Sequence, residues 1–371
     1  MGGFPTIAFG ARLGERRVPG YEEILLSTWT VETLPMMGEF FVLKHYTGNI
    51  TIMHNKESDM SATATMTISP SRAIWRTLYW LLRFAGLVIL YFILFALSGG
   101  LVAPYLPAAT AEPGPVPQMT GLLIVCAATV LVIVMMIHSS RWHGWKLVVW
   151  MSVAFYLVMT LVTQLEAWYF LLGITVGPEL MFRLFLQGIP TAFIFIPLAA
   201  LVMGRVRAPA GGIAFPEINP MPLKEWLWKL GIIYVAYLVL YYSAGYFIAW
   251  QNPAVRAFYG SPGEALPFFQ QMMHIFTSDP WLTPYQLLRT LIWVAGAYLI
   301  IRGSRLPLWQ TALIVGLMLS VPQNIGHILP NSLIPLNSVR ISHLIETASS
   351  TFIFGLIVTW LLYPKQMTRV S

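Results

Sequence analysis

Residues 118–138, QMTGLLIVCAATVLVIVMMIH, run for 21 positions without a single Asp, Glu, Lys or Arg. At 1.5 Å of rise per residue, a helix of this length crosses roughly 30 Å, the thickness of a bilayer's hydrocarbon core. A strand buried in a soluble protein spans only about 4–8 residues, so length alone decides for a membrane helix. Comparable apolar runs, bounded by charge or by Gly and Pro, recur near 77–99, 147–172, 179–204, 226–250, 284–302, 307–328 and 341–363. Together they predict an all-α integral membrane protein, a polytopic bundle of about eight transmembrane helices.

Composition points the same way. Of 371 residues, 57% are hydrophobic and 10% charged, with a mean hydropathy of +0.68. A soluble domain carries about 25% charged residues, so lipid is the expected surrounding. The net charge of +7 does not form a patch of the kind that nucleic acid needs. Basic residues instead punctuate the ends of the apolar runs, which fits membrane lipid as the partner, with partner subunits or a homo-oligomer open. The lone Cys126 lies inside the quoted run, leaving no intramolecular disulfide and no thiolate metal cluster.

The loops give an independent check on the spans, because Lys and Arg concentrate on the cytoplasmic side. Arg72 and Arg76 precede the first span; Arg141 and Lys146 lie between the second and third; Arg205, Arg207 and Lys224 lie between the fourth and fifth. Arg302 and Arg305 follow the sixth, and Lys365 and Arg369 follow the eighth. All fall on one side when there are eight crossings. The alternate loops, 100–117, 173–178, 251–283 and 329–340, hold little beyond Arg256, Arg340 and the helix-starting Arg289. The expectation is a multi-pass protein of the cell (inner, cytoplasmic) membrane with both termini inside.

Two segments stand apart. Residues 1–70 contain no membrane-length run and alternate in character around Phe40 to Lys44 and Asn49 to Met53, which reads as a short cytoplasmic extension, β-rich or disordered. A start at Met60 or Met66 would instead leave a basic lead into the first span. No cleavable signal peptide is expected, so the first helix would do the targeting. Residues 71–365 form the expected membrane domain. Its longest extracytoplasmic loop, 251–283, is rich in Pro, with an interfacial helix expected around Phe268 to Phe276.

Ionisable groups in a span cost at least about 2.5–3.5 kcal/mol on insertion scales, so each is a candidate functional residue. Gln164 and Glu166 fall in the outer third of the third span, and Glu179, Arg183 and Gln187 open the fourth. Gln323, Asn324 and His327 end the seventh, and Arg340, His343 and Glu346 open the eighth. Positions three or four apart share a helix face, so Glu179–Arg183–Gln187 and Arg340–His343–Glu346 are two stripes expected to face one outward-opening cavity. Glu179 and Arg183 also suit a neutralising ion pair, and Glu166 needs a proton or a partner on another span. A carboxylate that orients an imidazole, as Glu346 would orient His343, also suits a metal's outer shell. His274, His327 and His343 are accordingly the candidate metal ligands, though the sequence specifies no cofactor.

Pro178-Glu-Leu-Met-Phe-Arg183 resembles the Glu-Glu-x-x-x-Arg motif of the CAAX-processing and bacteriocin-immunity intramembrane proteases, and His327-x-x-x-Asn331 is similar to their later His-x-x-x-Asn element. Pro178 stands where the first glutamate would be, and Phe269 precedes His274 by five positions rather than four. The resemblance implies an eight-helix architecture in which glutamate and histidine activate water for peptide hydrolysis.

Three readings follow from the sequence. In the first, an outward-facing polar cavity binds or transports a small or lipidic substrate, with Glu166, Glu179, Arg183, Gln187, Asn324, His327, Arg340, His343 and Glu346 as candidate contacts. The second is a membrane-embedded, metal-dependent hydrolase of the CAAX-like kind. The third is an accessory subunit of a larger membrane complex.

Overall fold

The computed structural model describes residues 7–9, 14–18, 21–33, 41–51, 70–108, 110–207 and 221–364. The chain forms two compact units, Met1–Arg83 and Phe84–Ser371. In the first, the strands are β1 (Ile7–Phe9), β2 (Gly14–Val18), β3 (Tyr21–Thr33) and β4 (Phe41–Thr51). All pairing is antiparallel and centres on β3: β4 runs along one edge from Glu23↔Thr51 to Thr33↔Phe41, while β2 and β1 share the other. The terminal basic residues Lys365 and Arg369, and the possible starts at Met60 and Met66, lie outside the described residues.

Among the described residues, eight helices are long and apolar enough to cross a membrane. They are α1 (Ile74–Tyr105), α2 (Gln118–Ser139), α3 (Gly144–Leu171), α4 (Pro178–Val202), α5 (Leu223–Ala249), α8 (Leu282–Gly303), α9 (Leu308–Ile328) and α10 (Asn337–Leu362). Between α5 and α8 the chain makes two short helices, α6 (Pro253–Phe258) and α7 (Phe268–Ser278). Every membrane-spanning segment read from hydropathy is present, with ends shifted by a few residues. Proline sets several starts: Pro178, Pro253 and the residue pairs Pro222-Leu223 and Pro307-Leu308 place rigid φ where a helix's first amides need no partner.

In the second unit, helices approach closely where glycine removes a side chain. A Cβ on Gly355 of α10 would lie 2.7 Å from Gly316 of α9, and one on Gly296 of α8 would meet Val158 of α3 at 2.6 Å. Such small-residue contacts drive helix association in lipid, where apolar burial gives little advantage. Outward faces remain apolar, as Phe182, Val235, Phe247, Ile353 and Trp360 show.

The two ends of the bundle differ. At one, the turns after α2, α4 and α8 are tied together: Arg141 N donates to Gly303 O at 2.6 Å, Gly144 N to Arg205 O at 3.0 Å, and Arg305 N to Ser139 O at 3.0 Å. The Arg205 guanidinium caps the Ser140 carbonyl and that of Arg305 caps His138. At the other end lie the loops around 104–117, 172–177, 250–281 and 329–336, and it is there that the interior opens.

Candidate functional site: an ionisable cavity in the helical bundle

A cavity of about 850 Å³ lies among α1, α3, α4, α5, α8, α9 and α10, with α7 and the 329–334 loop on its wall. Gly188 and Gly245 belong to its lining. Gly188 is required: a Cβ there would sit 1.9 Å from the Thr160 hydroxyl. The backbone widens into π-helical turns at Tyr156–Leu161, Ala167–Leu171, Pro190–Phe195 and Gly245–Ala249. Each contributes lining residues, among them Thr160, Tyr169, Thr191 and Tyr246. Such turns shift side-chain register and recur at functional sites.

The floor is a network of charge. Glu166 of α3 pairs with Arg289 of α8, whose Nη1 also donates to Gln286 Oε1 at 2.9 Å. Gln323 Nε2 donates to the other Glu166 oxygen at 3.4 Å. The partner that Glu166 lacks on its own helix therefore comes from α8. Glu346 of α10 lies within electrostatic reach of the same guanidinium, so one cation serves two acids. Tyr237, Tyr241 and Tyr285 surround Arg289, with ring centroids 5.5–5.8 Å from its carbon, a cation–π setting that lowers the energy of a guanidinium away from water.

Above it runs a second chain of contacts. His343 Nδ1 lies 3.0 Å from Glu346 Oε2, and its Nε2 is 3.1 Å from the Tyr259 hydroxyl. A neutral imidazole satisfies both: Nδ1–H donates to the carboxylate while Nε2 accepts from the phenol. Tyr259 lies outside the spans, and burial pushes its phenol up, so it stays protonated and able to donate. Thr347 donates to Asn324 Oδ1 at 2.5 Å, and the Asn324 amide donates to Ser320 O at 2.7 Å, which fixes α9 against α10 just past Pro322. The His327 ring centroid is 6.2 Å from that of His343. At the mouth, the Tyr169 hydroxyl donates to the Asp279 carboxylate, with its oxygens at 2.8 and 2.9 Å.

Of the residues singled out from sequence, Gln164, Glu166, Gln187, His274, Asn324, His327, His343 and Glu346 all line this cavity. Three do not. Glu179 is exposed, and Arg183 lies over the Tyr105 ring at 3.7 Å; the two form no ion pair. The cavity's α4 wall begins one residue later, at Leu184, so the upper turn of that stripe faces away from it. The fragment resembling the CAAX-type motif thus lies apart from the other ionisable groups. Arg340 is fully buried, but it donates to the carbonyls of Ile334, Pro335, Glu112 and Pro113 at 2.7–3.3 Å, pinning two loops rather than meeting a ligand. As for metal, no three His, Cys, Asp or Glu side chains converge among the described residues; His274, His327 and His343 share the cavity without a third donor beside any two.

Sequence reasoning missed Arg289, Tyr259, Asp279 and the tyrosine wall. Arg289 was placed at a helix start, whereas α8 begins at Leu282 and buries it two turns deep. Comparison with protein-family models, with curated protein sequences and with solved structures finds no match for this chain.

Proposed function

We propose that the protein is a membrane-embedded carrier or binding protein for an amphiphilic molecule, small or lipidic, that enters from the extracytoplasmic leaflet of the cell membrane. One observation carries the reading: an 850 Å³ cavity, mostly apolar in its walls, holds Glu166, Arg289, His343 and Glu346 in one linked group. Ligand cavities of this size, apolar with a few convergent polar groups, fit a molecule with an apolar body and a polar end. The orientation is supported by the basic turns at Arg141, Arg205 and Arg305, which gather at the closed end and would face the cytoplasm.

The test is saturable binding of an octyl-chain amphiphile to purified protein at one per chain, and its loss in Gly326→Trp. Gly326 lines the cavity with open space where its Cβ would be, so the indole would fill it. Binding that neither saturates nor responds to the substitution overturns the reading.

A hydrolytic reading draws on one feature, the Tyr259–His343–Glu346 chain, in which a carboxylate orients an imidazole as in a general base. It predicts turnover of an ester amphiphile that His343→Gln abolishes while binding persists.

A further inference from the structure

Charge in the cavity is unbalanced. Its lining holds three carboxylates, Glu166, Asp279 and Glu346, against one guanidinium, Arg289. Arg289 ion-pairs with Glu166 and reaches Glu346 through its field alone, without a hydrogen bond to it. His343 needs no charge to satisfy its contacts, since one neutral tautomer bonds both Tyr259 and Glu346.

Glu346 is left in an unusual position. The residue is 8% exposed; one oxygen meets His343, and Oε1 has no hydrogen-bond partner among the described residues. That oxygen lies 3.4 Å from where a Cβ on Gly245 would be, against the π-helical turn of α5. A buried carboxylate with a free oxygen beside a cavity is costly in a membrane unless a cation approaches it. The surrounding rings are suited to that: Tyr237, Tyr241 and Tyr259 all lie within electrostatic reach of Glu346, and Tyr241 and Tyr259 line the cavity. Tyrosine faces attract organic cations.

We propose that the amphiphile bound here carries an ammonium head, seated against the free oxygen of Glu346 and the tyrosine wall, with its apolar body along the rest of the cavity. The inference rests on the binding reading above and adds the sign of the charge. The same head chemistry occurs on free alkylamines and on aminophospholipids.

The experiment titrates purified full-length protein in uncharged maltoside, at pH 8, with octyltrimethylammonium, octyl sulfate and octyl glucoside, using calorimetry. The expected order places the ammonium probe at least about ten-fold tighter than the sulfate. Glu346→Gln should weaken the ammonium probe by about ten-fold and narrow its preference over octyl sulfate by at least that factor. Sulfate binding as tightly as ammonium, or an unchanged ammonium affinity in Glu346→Gln, overturns the cation assignment while leaving an amphiphile site standing. Failure of all three probes to bind removes the site itself. The comparison of probes needs no variant, so a misfolded Glu346→Gln does not rescue the proposal. A further arm extracts lipid from protein purified from membranes: enrichment of phosphatidylethanolamine over phosphatidylglycerol identifies a lipid head as the source, and no enrichment with tight ammonium binding identifies a free amine.

Discussion

Replacing Arg289 with Met tests the electrostatic floor directly. Arg289 and Glu166 are 5% and 22% exposed at their side chains, so solvent screens the pair little. Removing one partner of a buried pair costs about 3–5 kcal/mol, because the other charge is left without compensation. Here two acids lose their cation, since Glu346 shares the guanidinium, and the upper part of that range applies. Glu166→Gln is milder: Arg289 keeps Gln286 and the field of Glu346, and the loss should be about 1–2 kcal/mol. The double variant removes both charges, and its cost should fall below the sum of the two by about 1–3 kcal/mol. Reversible unfolding in mixed dodecyl sulfate and maltoside micelles, followed by tryptophan fluorescence, measures all four corners of the cycle. If Arg289→Met loses less than Glu166→Gln, or the two losses simply add, the guanidinium is not what holds the acids in place.

The same packing and hydrogen bonds set four further outcomes. Gly355→Leu drives a side chain into Gly316, 2.7 Å away at its Cβ, and should cost about 1–3 kcal/mol or more, whereas Gly86→Leu meets nothing within 4 Å and should stay within about 0.5 kcal/mol; the same unfolding assay compares them. Arg340→Met leaves four carbonyls without their donor, and hydrogen exchange should quicken at 112–117 and 331–337 with a stability loss of about 2–4 kcal/mol. In a Cys126→Ser background, Ile174→Cys and Val206→Cys, both at exposed positions, should react with an impermeant maleimide from opposite sides of the membrane, the first from outside; labelling from one side refutes the topology. Burial, with Arg205 and Arg305 nearby, pushes the His143 imidazole below its ordinary value. The folded state then binds that proton less readily than the unfolded state, so stability is full above pH of about 6.5 and declines as pH falls toward the folded value; His143→Gln should flatten that acid slope, and an unchanged slope assigns it elsewhere.

How far the sequence could be read depends on the range of the interaction that fixes each feature. Hydropathy over some twenty residues is local and costly to violate, so all eight spans are legible, including the short turn at Gly303 to Pro307 that separates α8 from α9. Depth along a span is also legible, and it places Glu166, Asn324, His327, His343 and Glu346 near one end. Which helix neighbours which is not encoded locally, so the partner of Glu166 could not be named before the structure set α3 beside α8. Arg289 was obscured for a second reason: it lies in the outer turns of its span, where a basic residue reads as a solvated anchor at a helix end. Helical spacing alone also misled. Arg340 sits on the same stripe as His343 and Glu346, yet its guanidinium turns back to the carbonyls of Ile334 and Pro335, a local capping contact whose residue type cannot be told from a ligand-binding one.

The contrast between the two ends bears on how such a cavity would work. At the closed end, backbone bonds link the turns after α2, α4 and α8, and two guanidiniums cap carbonyls on a neighbouring turn. Opening that end means exposing these groups, each unmade bond costing about 1–3 kcal/mol where water is absent. The cavity end is built otherwise: α7 puts Gln271 and Ile275 on the cavity and leaves Phe269, Met273 and Phe276 exposed on its other side, so this helix can shift with its apolar face still in lipid. The lower barrier is therefore at the cavity end, so a ligand that entered or left there would leave the opposite seal unbroken. A carrier cycle would add one requirement, that occupation of the floor weaken the Arg205 and Arg305 caps. The path runs along two helices: α3 carries Glu166 near one end and starts at Gly144, whose amide bonds to Arg205 O, while α8 carries Arg289 and ends at Gly303, which bonds to Arg141. Both members of the central ion pair thus lie on helices whose far ends form the seal, so a ligand that competed for Glu166 or Arg289 would act on helices that reach that seal.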